Sequence, residues 1–122
     1  MLVSYSQFNA NPDGKNVGDC TVRAISTALG QSWDRTHREI CLVGRVLRNM
    51  PSGNAVWQEY LDLRGWRRYD GGDVTVREFC RANQYGTYVL GLDGHVVCVK
   101  DGELLDTWDS RDKQVIYVWR KA

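Results

Sequence analysis

The sequence lacks any long hydrophobic run. None of its 122 residues belongs to a stretch approaching the roughly 18 consecutive apolar residues of a membrane-spanning helix. Residues 1–9 also lack the basic region and the long apolar segment of a secretory signal. We therefore expect a cytoplasmic protein that has no membrane partner.

An excess of charge of one sign is also lacking. Sixteen Lys and Arg residues nearly balance fifteen Asp and Glu residues, which leaves a net charge of +1. This balance gives no general electrostatic attraction to nucleic acid. Residues 64–69 interleave basic and aromatic side chains, as nucleic-acid surfaces do, but a solvated edge beside a buried Trp66 explains them better. Nucleic acid is therefore not an expected partner.

Closely spaced metal ligands are absent as well. The four cysteines are widely separated, form no Cys-x-x-Cys pair and match no compact disulfide framework. We expect free thiols in a reducing compartment, with no metal and no other cofactor. Free cysteine is among the most buried residue types, so three of the four are predicted to pack in the core: Cys41, Cys80 and Cys98.

The hydrophobic content of 43% is that of an ordinary globular protein, and the length predicts one domain over residues 1–122. Apolar spacing predicts a helix over 19–29 that Asp19 or its neighbour caps, and a second helix from about 32 to 45 that turns Ile40, Val43 and Leu47 to the core. A third helix is predicted between residues 54 and 65. A capping box of Thr75 and Glu78 predicts a short fourth helix.

Extended segments are predicted at 2–8 and 66–69, and strands at 87–92, 95–100, 103–108 and 115–119. Asp101-Gly102 is a strong two-residue hairpin signal between the second and third of these strands. Helices come first and an antiparallel sheet follows, so the predicted class is α+β.

Cys20 stands at a predicted helix N-terminus, directly after Gly18-Asp19. The unpaired N–H groups and partial positive charge of a helix N-terminus lower the pKa of a thiol. A nearby imidazolium lowers it further and supplies a proton to a leaving group. Cys20 is therefore a candidate nucleophile, and the alternative is a thiol that only packs at a helix start.

His95 is the candidate base, because it opens a strand after Asp93-Gly94, whereas His37 lies on a predicted polar helix face. If Asp101-Gly102 forms a two-residue turn, alternation along the hairpin places Asp106 on the same face as His95, within hydrogen-bonding reach. Asp109 becomes the third member only if the hairpin register slips. Trp108, beside the pair, is predicted to shield it from water.

These residues resemble the papain-like superfamily, in which a helix-borne cysteine faces a histidine and an Asp or Asn on the sheet. The segment Gly18-Asp19-Cys20-Thr21-Val22-Arg23-Ala24-Ile25 also resembles the cysteine motif of ovarian-tumour-type deubiquitinases. Nearly the entire chain looks like small, mostly uncharacterised papain-fold proteins of phages and prophages. The resemblance implies helices packed on a sheet, a Cys20–His95–Asp106 triad and, for a phage protein, the host cytoplasm. It implies no substrate.

One position departs from the papain pattern. Papain-type enzymes place a glutamine six residues before the cysteine as an oxyanion donor, and this chain has Gly14 there. Asn16 could supply the amide, or a backbone N–H near Gly18 and Asp19 could do so, and Asn16 as a turn residue is the alternative. A missing donor costs roughly 10²–10³ in turnover.

The leading hypothesis is a small cysteine hydrolase, a peptidase or isopeptidase that acts on a peptide or protein substrate through an acyl-enzyme. Acyl transfer would use the same triad. The alternative is a non-catalytic protein-binding module, of phage type, whose triad is vestigial. A third and weaker hypothesis is a redox-sensing thiol at Cys20. The sequence leaves the substrate and the oligomeric state open.

Overall fold

The computed structural model describes residues 3–121, which form helices packed on both faces of a six-stranded sheet. This is an α+β architecture, as the sequence predicts. The helices are α1 (Cys20–Leu29), α2 (Trp33–Leu47), α3 (Asn54–Leu63) and α4 (Val76–Ala82). The strands are β1 (Ser4–Gln7), β2 (Trp66–Asp70), β3 (Thr87–Leu92), β4 (His95–Lys100), β5 (Glu103–Asp106) and β6 (Tyr117–Lys121). Leu2, included in the predicted first strand, lies outside the described residues. No helix within residues 3–121 has the length and apolar character needed to span a membrane.

The sheet is mixed, with strand order β1-β5-β4-β3-β6-β2. Its strands pair antiparallel except that β1 runs parallel to β5, with Gln7 opposite Asp106. The C-terminal strands therefore pair antiparallel, as predicted, whereas the parallel addition of β1 to their sheet was not predicted. Parallel pairing brings the end of β1 beside the end of β5. From there the chain leaves β1 and crosses to α1. That pairing joins segments about 100 residues apart, so no local pattern encodes it.

The β4–β5 hairpin has the predicted register. Asp101 and Gly102 have φ angles of 50° and 76°, as a two-residue type I′ turn requires, and Lys100 lies opposite Glu103. The predicted strand over 103–108 is too long, because the chain turns directly after Asp106. This turn leaves Asp106 at the end of its strand.

The last strand begins two residues later than predicted. Val115 and Ile116 donate backbone hydrogen bonds to the Val74 and Gly91 carbonyls, each 2.8 Å long, before the regular pairing of β6 starts. These two bonds hold the segment before β6 against the residues that precede α4 and against the end of β3.

The helices follow the predicted boundaries closely, with two corrections. Asp19 occupies the N-cap position of α1 but its side chain does not cap the helix, because other groups hold its carboxylate. In α2, Ile40 is buried and Val43 half-buried, whereas Leu47 is 44% exposed. The last turn of α2 lies at the periphery of the domain, where Val46 is also exposed.

Two apolar clusters cover the two faces of the sheet. Helices α1, α2 and α3 pack on one face, around Trp57, Ile25 and Cys98. Helix α4 covers the other face, around Phe79 and Leu104. The central strands β3 and β4 contribute to both clusters, so the centre of the sheet is buried on both sides.

Candidate active site

Cys20 is the first residue of α1, which packs on β3 and β4. The first N–H groups of a helix have no intrahelical acceptor, so they surround Cys20 with unpaired donors. The thiol is half-buried, and the His95 side chain and the Val96 main chain lie close enough to lower its pKa. The nucleophile predicted from the sequence thus lies beside the predicted base.

His95 is the first residue of β4, and the Asp93-Gly94 turn before it joins it to its pairing partner Leu92. Gly94 has a φ angle of 66°, which a glycine adopts without strain. The Nε2 atom of His95 lies 2.7 Å from the Oδ2 atom of Asp106. This contact leaves Nδ1 as the ring nitrogen for the thiol, which is the tautomer and orientation that a Cys–His pair needs.

Asp106 is buried and its carboxylate has three partners. Oδ2 accepts hydrogen bonds from His95 and from the Ser110 hydroxyl, the latter at 3.0 Å, and Oδ1 accepts from the Thr107 backbone N–H at 2.7 Å. Ser110 is 1% exposed and donates to the oxygen that His95 contacts. Sequence reasoning missed Ser110, since nothing in the sequence distinguishes it from other loop serines.

The main chain of Asp106 is held by the N-terminal segment. Its carbonyl accepts hydrogen bonds from the Phe8 N–H at 2.8 Å and from the Tyr5 hydroxyl at 3.3 Å. Strand β1 therefore fixes the third member of the site in place from the outer side of the sheet.

Trp108 stacks on the His95 imidazole, with ring centroids 4.9 Å apart and an interplanar angle of 27°. The indole is 43% exposed, so one face covers the imidazole while the remainder meets solvent. Water is thereby excluded from that side of the His95–Asp106 hydrogen bond.

The pKa shifts of the pair have opposite signs. Burial disfavours the Cys20 thiolate, but hydrogen bonds from His95 and Val96 and nearby positive charge outweigh it, so the pKa of Cys20 is lowered. For His95, burial disfavours the imidazolium, whereas hydrogen bonds to Asp106 and Cys20 favour it and raise the pKa of His95 to about 9. Together these shifts favour a thiolate–imidazolium pair near neutral pH.

The other cysteines differ from Cys20. Cys80 and Cys98 are buried as predicted, and burial raises their pKa values to about 11 and about 12. Cys41 was predicted to be a core residue but is only half-buried on α2, with Sγ 3.7 Å from Nε2 of His37. Between residues 3 and 121, no group of three or more His, Cys, Asp or Glu side chains could hold a metal ion.

A buried ion pair lies at the start of α1. The Asp19 carboxylate contacts Nη1 of Arg23 at 3.2 Å and accepts hydrogen bonds from Asn11 at 3.1 Å and from the Trp33 indole at 3.0 Å. The side chains of Asp19 and Arg23 are 7% and 10% exposed. The arrangement ties the loop before Cys20 to α1 and α2, and it neutralises a carboxylate next to the nucleophile.

The predicted oxyanion donor Asn16 is exposed and lines a cavity of about 260 Å³ with Gln7, Asn9 and Trp108. Gly14, six residues before Cys20, lines the same cavity and has no side-chain amide. Neither Gln7 nor Asn16 makes a side-chain hydrogen bond within the described residues. Gln7 is therefore a second free amide beside Trp108, which the sequence could not identify because β1 pairs across the whole chain.

The alternative third member, Asp109, lies elsewhere. It is exposed and binds Arg111 through two contacts of 2.8 and 2.7 Å. The hairpin keeps the register that places Asp106 at His95, so the slip on which the choice of Asp109 depended does not occur.

Comparisons with protein-family models, with curated proteins and with solved structures return no match for this chain. The chemistry of the site must therefore be inferred from its own residues. These residues supply a thiol of lowered pKa, an imidazole that can accept and return its proton, and a carboxylate that orients the imidazole.

Proposed function

We propose that this chain is a small cysteine hydrolase with a papain-like arrangement, acting on an amide or thioester bond of a peptide or protein. The observation that carries the proposal is the position of His95, which binds Asp106 at 2.7 Å through Nε2 and lies close enough to the Cys20 thiol for each group to shift the pKa of the other. A helix-borne cysteine, a strand-borne histidine and an acid on the next strand are the parts that such a mechanism requires.

The Cys20 thiolate attacks the carbonyl carbon, and a C–S bond forms as the carbonyl π electrons move to oxygen. The His95 imidazolium gives its proton to the leaving amine when the C–N bond breaks, which leaves an acyl-enzyme. The neutral imidazole then takes a proton from water, whose oxygen attacks the thioester carbonyl and releases the acid. Asp106 holds the imidazole in one orientation throughout. In this mechanism the free N–H groups at the start of α1 donate to the oxyanion.

The direct test is the rate of Cys20 alkylation by iodoacetamide against pH, in the wild type and in His95→Ala, with the modified peptide identified by mass spectrometry. We expect a thiolate that persists below about pH 6 in the wild type and a loss of at least about tenfold in rate at that pH in His95→Ala. His37→Ala is the matched control, since His37 contacts the other half-buried thiol, Cys41.

Ordinary titration near pH 8.5 in both proteins would refute the assembled pair and favour a protein-binding module with a vestigial triad. Once a substrate is identified, the hydrolase proposal requires that Cys20→Ala abolish turnover while circular dichroism and thermal unfolding show a folded protein. Retention of biological activity in Cys20→Ala would support the binding module instead.

A further inference from the structure

A large cavity lies beside the candidate active site. It has a volume of about 630 Å³ and its lining includes His95 and Trp108, so it shares two walls with the proposed catalytic centre. The other walls are the β3–β4 turn, at Leu92, and the segment that precedes β6, at Ile116. A group bound in this cavity would lie against the imidazole that acts on the substrate.

The walls of the cavity are held rigidly. Ile116 donates its backbone N–H to the Gly91 carbonyl at 2.8 Å, which ties the segment before β6 to the end of β3. The Lys113 N–H donates to the Ser110 carbonyl at 3.0 Å, and the Lys113 carbonyl accepts from Val76 at 2.9 Å. The cavity is thus preformed, as ligand sites usually are.

The lining of the cavity combines large apolar side chains with polar and charged ones. Leu92 is 7% exposed, whereas Trp108 and Ile116 are among the large apolar side chains left open to solvent, at 43% and 42%. Asp93 and Lys113 also line the cavity with opposite charges, and neither makes a salt bridge within residues 3–121. Their charges offset each other, so the apolar groups decide what binds.

We propose that this cavity is the specificity pocket of the enzyme and takes a neutral, apolar side chain of the peptide close to the bond that Cys20 attacks. The inference rests on the proposed hydrolase function and names its substrate class. Leu92, Trp108 and Ile116 would cover an aliphatic side chain, and burial of such a side chain favours its binding over that of a charged one.

The test uses N-acyl dipeptidyl chloromethyl ketones in which each of the two side chains is in turn Leu, Ala, Asp or Lys. The Cys20 thiolate attacks the methylene carbon, the C–S bond forms, and chloride leaves. Reactions are run at pH 9.5, where accessible thiols are largely ionised whatever their neighbours, and the adduct is located by mass spectrometry. At one of the two positions we expect the Leu reagent to react about tenfold faster than the Asp and Lys reagents.

Ile116→Ser removes one apolar wall, and we expect the ratio of Leu to Asp reactivity to fall by about five- to tenfold. Ile116→Val should keep most of the ratio. Val46→Ser is the matched control, because Val46 is an apolar residue on α2 that is 80% exposed and does not line the cavity. The ratio is taken within one variant, so a change in the reactivity of the thiol itself cancels.

A ratio near one in the wild type, a preference for Asp or Lys at both positions, or a ratio that Ile116→Ser leaves unchanged would overturn the proposal. These outcomes are distinct from a failure of the hydrolase proposal, which the iodoacetamide profile near pH 6 reports. Equal reaction rates for all the chloromethyl ketones, together with a low pKa of the Cys20 thiol, would mean an active Cys–His pair whose specificity pocket lies elsewhere. Faster reaction of the Leu reagent, together with an ordinary pKa of the Cys20 thiol, would mean a peptide-binding pocket beside an inactive thiol.

Discussion

At the scale of single residues, the chemistry of the site depends on what each side chain can donate or accept. Asp106 accepts hydrogen bonds from His95 and Ser110 on one carboxylate oxygen and from a backbone N–H on the other. The carboxylate is therefore fixed from both sides, and it in turn fixes the imidazole. Asp109, three residues later, is exposed and is held by Arg111.

This contrast gives a matched pair of substitutions. Asp106→Asn removes the negative charge that favours the imidazolium, so the pKa of His95 should fall and the pKa of Cys20 should rise. We expect at least about a tenfold loss in the rate of Cys20 alkylation at pH 6. Asp109→Asn should leave that rate unchanged. Imidazole titration followed by NMR checks the cause; equal effects of the two substitutions would contradict the assignment of Asp106.

The residues that the sequence could identify are those that local rules bring together. Asp101-Gly102 specified the turn, the turn specified the register, and alternation along the strands placed Asp106 near His95. Ser110 and Gln7 escaped prediction for a different reason: one lies in an irregular loop and the other on a strand whose partner is distant in sequence. Periodicity carries no information about either.

At the scale of elements, the N-terminus of α1 lacks the usual capping hydrogen bond from the side chain of its N-cap residue. Asp19 has the position of a capping residue, but its carboxylate contacts Arg23, one turn later, together with Asn11 and Trp33. The spacing of Asp19 and Arg23 is visible in the sequence, yet their burial is not, because it arises from the loop and from α2 folding over them. The prediction of the helix was correct, and Asp19 occupies the predicted N-cap position without making the capping hydrogen bond.

Arg23→Met tests this ion pair. It leaves the Asp19 carboxylate buried without its cation, and we expect a loss of about 3 kcal/mol in the free energy of unfolding. The double variant Asp19→Asn/Arg23→Met should recover part of that loss. Arg35→Met is the control, since the Arg35–Glu39 pair has the same spacing but is more exposed, and should cost less than about 1 kcal/mol.

Urea unfolding of the four proteins measures these differences. Similar losses in Arg23→Met and Arg35→Met would mean that the Asp19–Arg23 contact contributes no more than a surface pair. A rise in the pKa of Cys20 is also expected in Arg23→Met, because a cation near the thiolate has been removed.

At the scale of the whole molecule, the site combines residues from the N-terminal part of the chain with residues from its C-terminal part. Cys20 follows β1 and the loop after it, whereas His95 and Asp106 lie on the β4–β5 hairpin. The N-terminal segment with β1 binds the main chain of Asp106. The α+β class was predictable from the order of helical and strand patterns. The parallel pairing of β1 was not, because pairing of an edge strand depends on long-range docking rather than on local sequence. The folded domain therefore assembles the site, and the protonation of the site must in turn affect the stability of the domain.

Free energy of unfolding against pH measures that linkage. In a Cys20→Ala background only Asp106 and burial act on His95, and the contact with Asp106 should keep the pKa of His95 above its ordinary value. A raised pKa stabilises the folded state fully below about pH 6.5, and this contribution is lost as the pH rises through the pKa of the folded form. Cys20→Ala should therefore lose about 1–2 kcal/mol between pH 6 and pH 9 relative to Cys20→Ala/His95→Gln.

In the wild type the thiolate adds a second, opposing contribution. The lowered pKa of Cys20 stabilises the folded state above the ordinary thiol pKa, and that contribution disappears as the pH falls through the pKa of the folded thiol. With a thiolate that persists below about pH 6, as the proposed function requires, and a pKa of His95 raised to about 9, the pair stabilises the fold most strongly between the two folded pKa values. The wild type should consequently show a stability maximum at intermediate pH that Cys20→Ala lacks. Parallel curves for the two proteins would mean that the thiolate and the imidazolium are not coupled, and the proposed mechanism would lose its basis.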